Sequence, residues 1–452
     1  MYRIVLPILF IATTLANAQQ KSTSQSDSLP VKKYVRCINM TDYEQMLEQR
    51  DTTRKARRMA AETMMSKWIA NQSTERIASV QTEYSMPIVF HVLWNSDSVH
   101  EKISLAQIRR QVQVLNHDYT RSNQDAVNTP AAFASVAASF HLMFCLAKTD
   151  PSGNPTTGVV YKQTSATSFS QGTDWVKYPS HGGDTIWNPQ KYLNIWICNL
   201  NGGILGYSEL PTSPLDNTFG SVILFQAVGD SGYLPLQDYN LGRTITHEVG
   251  HLLNLHHPWG DDGGLCPGSG GTDDGCADTP PEGNDKNDGF GDGGGPTFNA
   301  PVFPYTDNCS TVSPGIMFEN FMEYTNDNVM NLFTNDQYTI ALATIAGPLA
   351  NVAASSTCTF TGIPEYEFNN SINVYPNPSY TGRFNVSIGL TNFAHINALV
   401  YNILGQTVDS WSSDAVSDKI YDLDLSNQPN GLYFVKLYNS DFSIVKKIMI
   451  NR

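Results

Sequence analysis

Apolar and polar positions fall along this chain in blocks that predict an ordered middle and an ordered end. Residues 41–70 read as a helix interrupted by the basic run Arg54-Lys55-Ala56-Arg57-Arg58. From Met86 the texture changes. MPIVFHVLW reads as a buried strand, and SLAQIRRQVQVLNHDY (104–119) repeats apolar residues at helical spacing behind Ser104, a good N-cap. FHLMFCLA (140–147), YLNIWICNL (192–200) and SVILFQAV (221–228) are strand-like, and TITHEVGHLLNLHH (244–257) is a helix. These elements predict a twisted sheet with helices against it. Residues 258–316 are rich in Gly and Asp, a texture that a packed domain tolerates where ions or disulfides hold it. Residues 335–350 are again helical in pattern. Beyond Cys358, short alternating strands separated by Asn, Gly and Pro predict a small β-sandwich. The expected fold class is α+β, followed by a C-terminal all-β sandwich.

The start of the chain predicts export. Met1-Tyr2-Arg3 is a short basic opening, residues 4–16 are almost wholly apolar, and Ala16-Asn17-Ala18 has the small residues of a cleavage site. Residues 1–18 are therefore expected to be a removed signal peptide. No stretch approaches the ~20 apolar residues that span a bilayer. Residues 19–30 are polar, and residues 54–58 offer a target for trypsin-like cleavage. At 452 residues the chain has room for two or three domains. Its net charge of −14 argues against nucleic acid and anionic membrane as partners, since phosphate binding needs clustered Lys and Arg. Seven cysteines in an exported chain make disulfides plausible, and the odd number leaves one for another task.

The densest chemistry is His247-Glu248-Val249-Gly250-His251-Leu252-Leu253-Asn254-Leu255-His256-His257. On a helix, His247 and His251 stand one turn apart on one face and can reach one ion. Glu248 lies beside them, placed to take a proton from a metal-bound water. For His257 to be a third ligand the helix must stop and the chain must turn back. Asn254 supplies the turn, because Asn readily takes the left-handed conformation that ends helices. Three imidazoles leave one position open for water, the arrangement of a catalytic zinc.

HExxHxxNxxH, followed by Asn320-Phe321-Met322-Glu323-Tyr324, resembles the metzincin peptidases, which imply an α/β/α zinc protease domain with a mixed sheet. Asn254 stands where that group usually has Gly. NFMEYTND, NLFTNDQ, SMPIVFHVLW and GCADTPP narrow the resemblance to the pappalysin family, over roughly residues 34–350. The resemblance implies that His247, His251 and His257 bind zinc and that Glu248 is general base and acid. It implies that Met322 floors the site and that Tyr324 donates a hydrogen bond to the oxyanion. Asp327 falls where basic-specific members hold an acid at the base of the S1′ pocket, which implies cleavage before Arg or Lys. The family's calcium loop resembles GTDDGCADTPPE, with Asp274, Asp278 and Thr279 as oxygen donors. Asp285, Asn287 and Asp288 form a second oxygen-rich cluster.

Cys266 and Cys309 resemble one of the family's disulfides, while Val329 replaces the family's other cysteine and leaves Cys276 unassigned with Cys145, Cys198 and Cys358. Arg36-Cys37 resembles the prosegment cysteine switch, with Ile38 where Gly is usual. A Cys37 thiolate could take the water's position and hold the enzyme latent. Loss of the prosegment then leaves an even six cysteines. NVYPNPSYTGRFNVSI, VYNILGQTV, NGLYFVKLYNSD and IVKKIMINR resemble the C-terminal sorting domain of the type IX secretion system of Bacteroidetes, which implies a bacterial protein that is secreted or surface-attached.

The expected organisation is a signal peptide (1–18), a latency prosegment (19–58), a zinc metalloprotease domain (59–358) and a sorting β-sandwich (359–452). The expected function is a secreted zinc endopeptidase with structural calcium, acting on proteins. The alternative is a catalytically weak surface adhesion or binding protein on the same scaffold. Glu248 favours the enzyme, since a binder has no need of a base.

Overall fold

The computed structural model describes residues 34–72, 84–98, 100–229, 238–262, 265–267, 269–283, 301–357, 372–388, 393–416, 419–438 and 443–452. The expected signal peptide, the cluster of Asp285, Asn287 and Asp288, and Cys358 lie outside the described residues.

The first described helices are α1 (Met40–Arg50) and α2 (Arg54–Ala70), where one interrupted helix was expected. The Asp51 carboxylate accepts both the N–H and the hydroxyl of Thr53, and this local turn separates the two. Arg54 is buried, and its guanidinium meets Glu44 at 2.8 Å, Glu209 at 3.0 Å and Asp216. Glu209 also binds buried Lys177 at 2.7 Å, so the start of α2 plugs into a closed network of charge. Further on, Ala61 and Met65 of α2 pack on Ala343.

The chain between residues 84 and 224 builds a sheet of β1 (Tyr84–Asn95), β2 (Leu142–Leu146), β3 (Val159–Thr164), β4 (Leu193–Cys198), β5 (Gly206–Ser208) and β6 (Ser221–Leu224). The order is β2-β1-β4-β6-β5, with β3 pairing the second half of β1. Every pairing is parallel except that of edge strand β5 with β6, so the sheet is mixed. Parallel strands are covered on both faces, which accounts for the near-continuous burial of β1 and β4.

Helix α3 (Leu105–Tyr119) is capped by Ser104, whose Oγ accepts the Gln107 N–H at 3.1 Å. Helix α4 (Arg243–Leu252) carries the histidine motif, and all ten of its residues are buried. Helix α5 (Asn335–Ala346) opens with a capping box between Thr334 and Gln337. One core joins β1, β4 and β6 to α3, α4 and α5 through residues such as Phe90, Leu115, Ile195, Val249 and Ile345.

The C-terminal strands are β7 (Ile372–Tyr375), β8 (Arg383–Ile388), β9 (Phe393–Asn402), β10 (Thr407–Val416), β11 (Lys419–Asp424), β12 (Gly431–Tyr438) and β13 (Ser443–Ile450). They form two antiparallel sheets, β10-β9-β12-β13 and β11-β8-β7, which share a core of Val386, Val400, Leu423, Val435 and Ile448. This is the β-sandwich expected from the alternation. Among the described residues, no helix is long and apolar enough to cross a membrane.

Candidate active site

Helix α4 ends in a Schellman arrangement. Asn254 has φ +64°, its N–H bonds to the His251 carbonyl at 2.9 Å, and the Leu255 N–H bonds to the Gly250 carbonyl at 2.9 Å. The chain thus folds back and brings His257 to the two helix histidines. The Nε2 atoms of His247 and His251 lie 3.1 and 3.2 Å from that of His257.

Each imidazole is anchored through its other nitrogen. His247 Nδ1 meets the Phe321 carbonyl at 2.8 Å, His251 Nδ1 the Leu255 carbonyl at 2.8 Å, and His257 Nδ1 the Asp261 carboxylate at 2.7 Å. With Nδ1–H donating outward, three Nε2 lone pairs converge on one point, an arrangement that fits a cation. Burial, and then the neighbouring histidines, push His247 and His251 well below the ordinary imidazole range, which keeps them neutral as ligands must be.

The fourth direction is taken by the N-terminal residues around Cys37. Cys37 Sγ lies 3.6 Å from His251 Nε2, and Cys37 forms one buried ligand cluster with the three histidines. Burial and the nearby Glu248 charge push its thiol up, so a thiolate there is favourable only beside a cation. Val35 pairs in parallel with Ile204, with Val35 N–H to Gly203 O at 2.9 Å and Leu205 N–H to Val35 O at 3.0 Å. The Gly206 N–H then donates to Arg36 O at 3.2 Å.

Arg36, wholly buried, reaches Asp327 Oδ1 at 2.8 Å and the Thr325 carbonyl at 2.6 Å, with Tyr239 beneath its guanidinium at 5.1 Å. Asp327 Oδ2 accepts the N–H groups of Leu241 and Arg243 at 2.8 and 3.3 Å. The sequence singled out Asp327 and Cys37. That the adjacent Arg36 and Cys37 together engage Asp327 and the histidine cluster comes from the structure.

Glu248 is buried, with Oε2 at 2.7 Å from Ser208 Oγ. Burial pushes its carboxyl up to about 7, although the Ser208 hydrogen bond lowers it. Met322 packs under α4, where a Cβ on Gly250 would come within 2.4 Å of its sulfur. That close approach requires glycine in the motif. The Tyr324 ring stands 4.9 Å from His257, and its hydroxyl donates to the Ile38 carbonyl at 3.1 Å. Sequence reasoning missed Asp261, Ser208 and Trp259, which stacks on His257 at 4.6 Å. Asp261 was findable, since it follows His257 by four residues and such histidines need an acceptor on Nδ1.

In the expected calcium loop, Asp274 and Thr279 converge, the Thr279 hydroxyl lying 2.8 Å from Asp274 Oδ1. Asp278 accepts the Asp336 N–H on its Oδ2 at 3.0 Å, in the first turn of α5. Cys266 and Cys309 form a disulfide that closes the loop across 43 residues. Cys145 is also disulfide-bonded, but Cys198 and Cys276 are buried free thiols, so the even count left after prosegment loss does not mean complete pairing.

The family model described as "Pregnancy-associated plasma protein-A" matches residues 181–346, and the "Secretion system C-terminal sorting domain" model matches residues 373–451. A promirolysin mutant from Tannerella forsythia is 39% identical with TM-score 0.59, and the match covers 70% of this chain and 97% of that one. The chain belongs to the pappalysin family.

A second pappalysin structure, Tannerella forsythia mature mirolysin with a cleaved peptide, is 41% identical at TM-score 0.53, covering 60% of this chain and 96% of that one. Extracellular metalloprotease 1 of Coccidioides posadasii is 35% identical over 154 residues, 32% of this chain and 47% of its own length. A Colletotrichum graminicola extracellular metalloprotease is 36% identical over a similar stretch. This chain spans about half the length of these two fungal relatives. The catalytic region is a zinc metalloprotease fold, and the sorting sandwich marks the protein as secreted or held at the cell surface.

Proposed function

We propose that this protein is the latent form of a secreted zinc endopeptidase that cuts on the amino side of Arg or Lys. The observation that carries the reading is the buried contact of Arg36 with Asp327 beside Cys37 in the histidine cluster. A buried carboxylate that accepts a guanidinium selects cationic side chains, because an apolar one would leave its charge unpaired. In a substrate cut before Arg, the pocket residue follows the scissile carbonyl. In the prosegment Arg36 precedes Cys37, so the chain runs in the opposite sense. It can fill the pocket without presenting a bond for cleavage.

His247, His251 and His257 would hold the zinc, which supplies a Lewis acid that polarises the scissile carbonyl and acidifies water. Once the prosegment leaves, Glu248 takes the proton of the attacking water and delivers it to the departing amine. The Tyr324 hydroxyl, freed from Ile38, donates to the developing oxyanion. Met322 supports the histidines from below.

Cys37 acts as the latency residue. The expected prosegment boundary at residues 58 and 59 falls within α2. Asp274 and Thr279 are the donors we assign to structural calcium, because burial pushes the Asp274 carboxyl up to about 7 and a cation would relieve that cost.

Mass-spectrometric mapping of cuts in a protein digest tests the reading. Arg and Lys should dominate the position immediately after the cut. A flat distribution there would remove Asp327 from the specificity pocket.

A further inference from the structure

We propose that Ser208, on edge strand β5, is a positioning residue that orients the Glu248 carboxylate for catalysis. The inference rests on Glu248 being the general base. Ser208 is fully buried, and its Oγ lies 2.7 Å from Glu248 Oε2, 2.9 Å from the Glu248 carbonyl and 2.7 Å from Ser221 Oγ on β6. An ionised carboxylate only accepts, so the Ser208 hydroxyl is the donor, and a short O–H···O⁻ contact is a strong one. Besides Ser208, the carboxylate faces the Cys37 thiol, which interacts with it directly. One oxygen is pinned by the strand, and the side of the carboxylate that Cys37 occupies opens to a reacting proton once Cys37 leaves.

The same strand shapes the second side of the carboxyl group. A Cβ on Gly206 would stand 2.8 Å from Glu248 Oε1 and 2.9 Å from its Cγ. Gly206 and Ser208 are two residues apart and therefore share a face of the strand, toward Glu248. Tyr207 between them points away, to Asp174 at 2.7 Å. Gly206 also donates its N–H to the prosegment backbone at Arg36. Gly206 thus touches the extended peptide through its backbone and the base through its open face.

The need for such a device follows from the side chain. The last torsion of Glu is broad and close to two-fold, so packing alone selects its carboxylate plane poorly. A base misplaced by ~1 Å can lose about 100-fold in rate.

The test uses the full-length protein after activation. S208A should retain zinc and keep KM within about twofold while kcat falls about 10–100-fold, and S208T, which keeps the hydroxyl, should recover most of the loss. S208A with wild-type kcat, a loss carried by KM alone, or S208T no better than S208A would overturn the proposal. If S208A does not fold, G206A serves, since its added methyl must displace the carboxylate and lower kcat. Wild-type kcat in G206A would count against the proposal. E248A separates the two levels of the argument. An active E248A removes the general base itself, whereas an inactive E248A beside an unimpaired S208A removes only the role of Ser208.

Discussion

Arg58 donates to Asn254 Oδ1 at 3.0 Å, so a residue of α2 holds the side chain on which the metal helix turns. The same guanidinium nitrogen donates to the Pro211 carbonyl at 2.5 Å. R58A strands two buried acceptors and should cost about 1–3 kcal/mol. A lower melting temperature of the zinc-loaded full chain, with unchanged zinc stoichiometry, is the expected result. Zinc loss at room temperature would instead mean that Asn254 cannot hold its turn alone.

The location of Arg58 also bears on maturation. The basic run at 54–58 lies in α2, where Arg54 is 2% and Arg58 7% exposed. A peptidase takes its substrate as an extended chain, so this helix must open before any bond in the run is cut. A synthetic peptide of residues 50–62 should be cleaved before its arginines far faster than the same bonds in the intact zymogen. N-terminal sequencing over a time course measures both. Equal rates would show that α2 gives no protection.

Latency should have two separable parts. C37A in the full chain should shorten the half-time of self-activation by freeing the metal position. R36L should also shorten it, by leaving Asp327 buried and unpaired, a loss of about 3–5 kcal/mol in prosegment docking. The double variant should activate faster than either single one. If R36L activates at the wild-type rate, the Arg36 contact adds nothing to latency.

Loss of the base and loss of the pocket should look different. E248A should bind zinc and lose about 100–10,000-fold or more in kcat, because only the proton relay is missing. Phenanthroline should abolish the activity of the wild type. D327N should keep zinc and kcat on neutral-pocket substrates while kcat/KM for Arg and Lys substrates falls. An unchanged ratio for basic over apolar substrates would exclude Asp327 as the selector.

Calcium stabilisation should depend on pH with a definite sign. Burial raises the folded-state carboxyl of Asp274 from the ordinary 3.8 to about 7, so without a cation its ionisation costs stability as pH rises through that window. Calcium takes the ionised form and cancels the cost. The calcium-induced rise in melting temperature should therefore be largest near pH 8 and shrink as pH falls toward 5. A shift independent of pH, or none, would assign the loop to the Cys266–Cys309 staple alone.

The parts of this molecule legible from sequence are those written in local spacing. β1, α3 and the metal helix show as apolar runs, a serine cap and histidines one turn apart. The turn at Asn254 followed from the need to bring in His257. Edge strand β5 carries only Gly206, Tyr207 and Ser208, too short for any periodicity, although it borders the base. Arg36 and Asp327 meet across 291 positions, and no local pattern announces such a pair. The break between α1 and α2 rests on one carboxylate, Asp51, that outcompetes helix continuation. The basic run at 54–58 suggested exposure by its composition, and Lys55 is exposed, but Arg54 is buried against Glu44, Glu209 and Asp216.

The reversed run of Val35, Arg36 and Cys37 along residues 203–206 is also a chemical template. It joins a cationic anchor, a sulfur aimed at the histidines and a backbone ladder in one short peptide whose bonds face the wrong way for attack. A synthetic inhibitor that copies this order, with Arg placed before the sulfur, would dock in the reverse sense of a substrate and so resist digestion by its own target. Reversal of the residue order would convert the same side chains into a substrate.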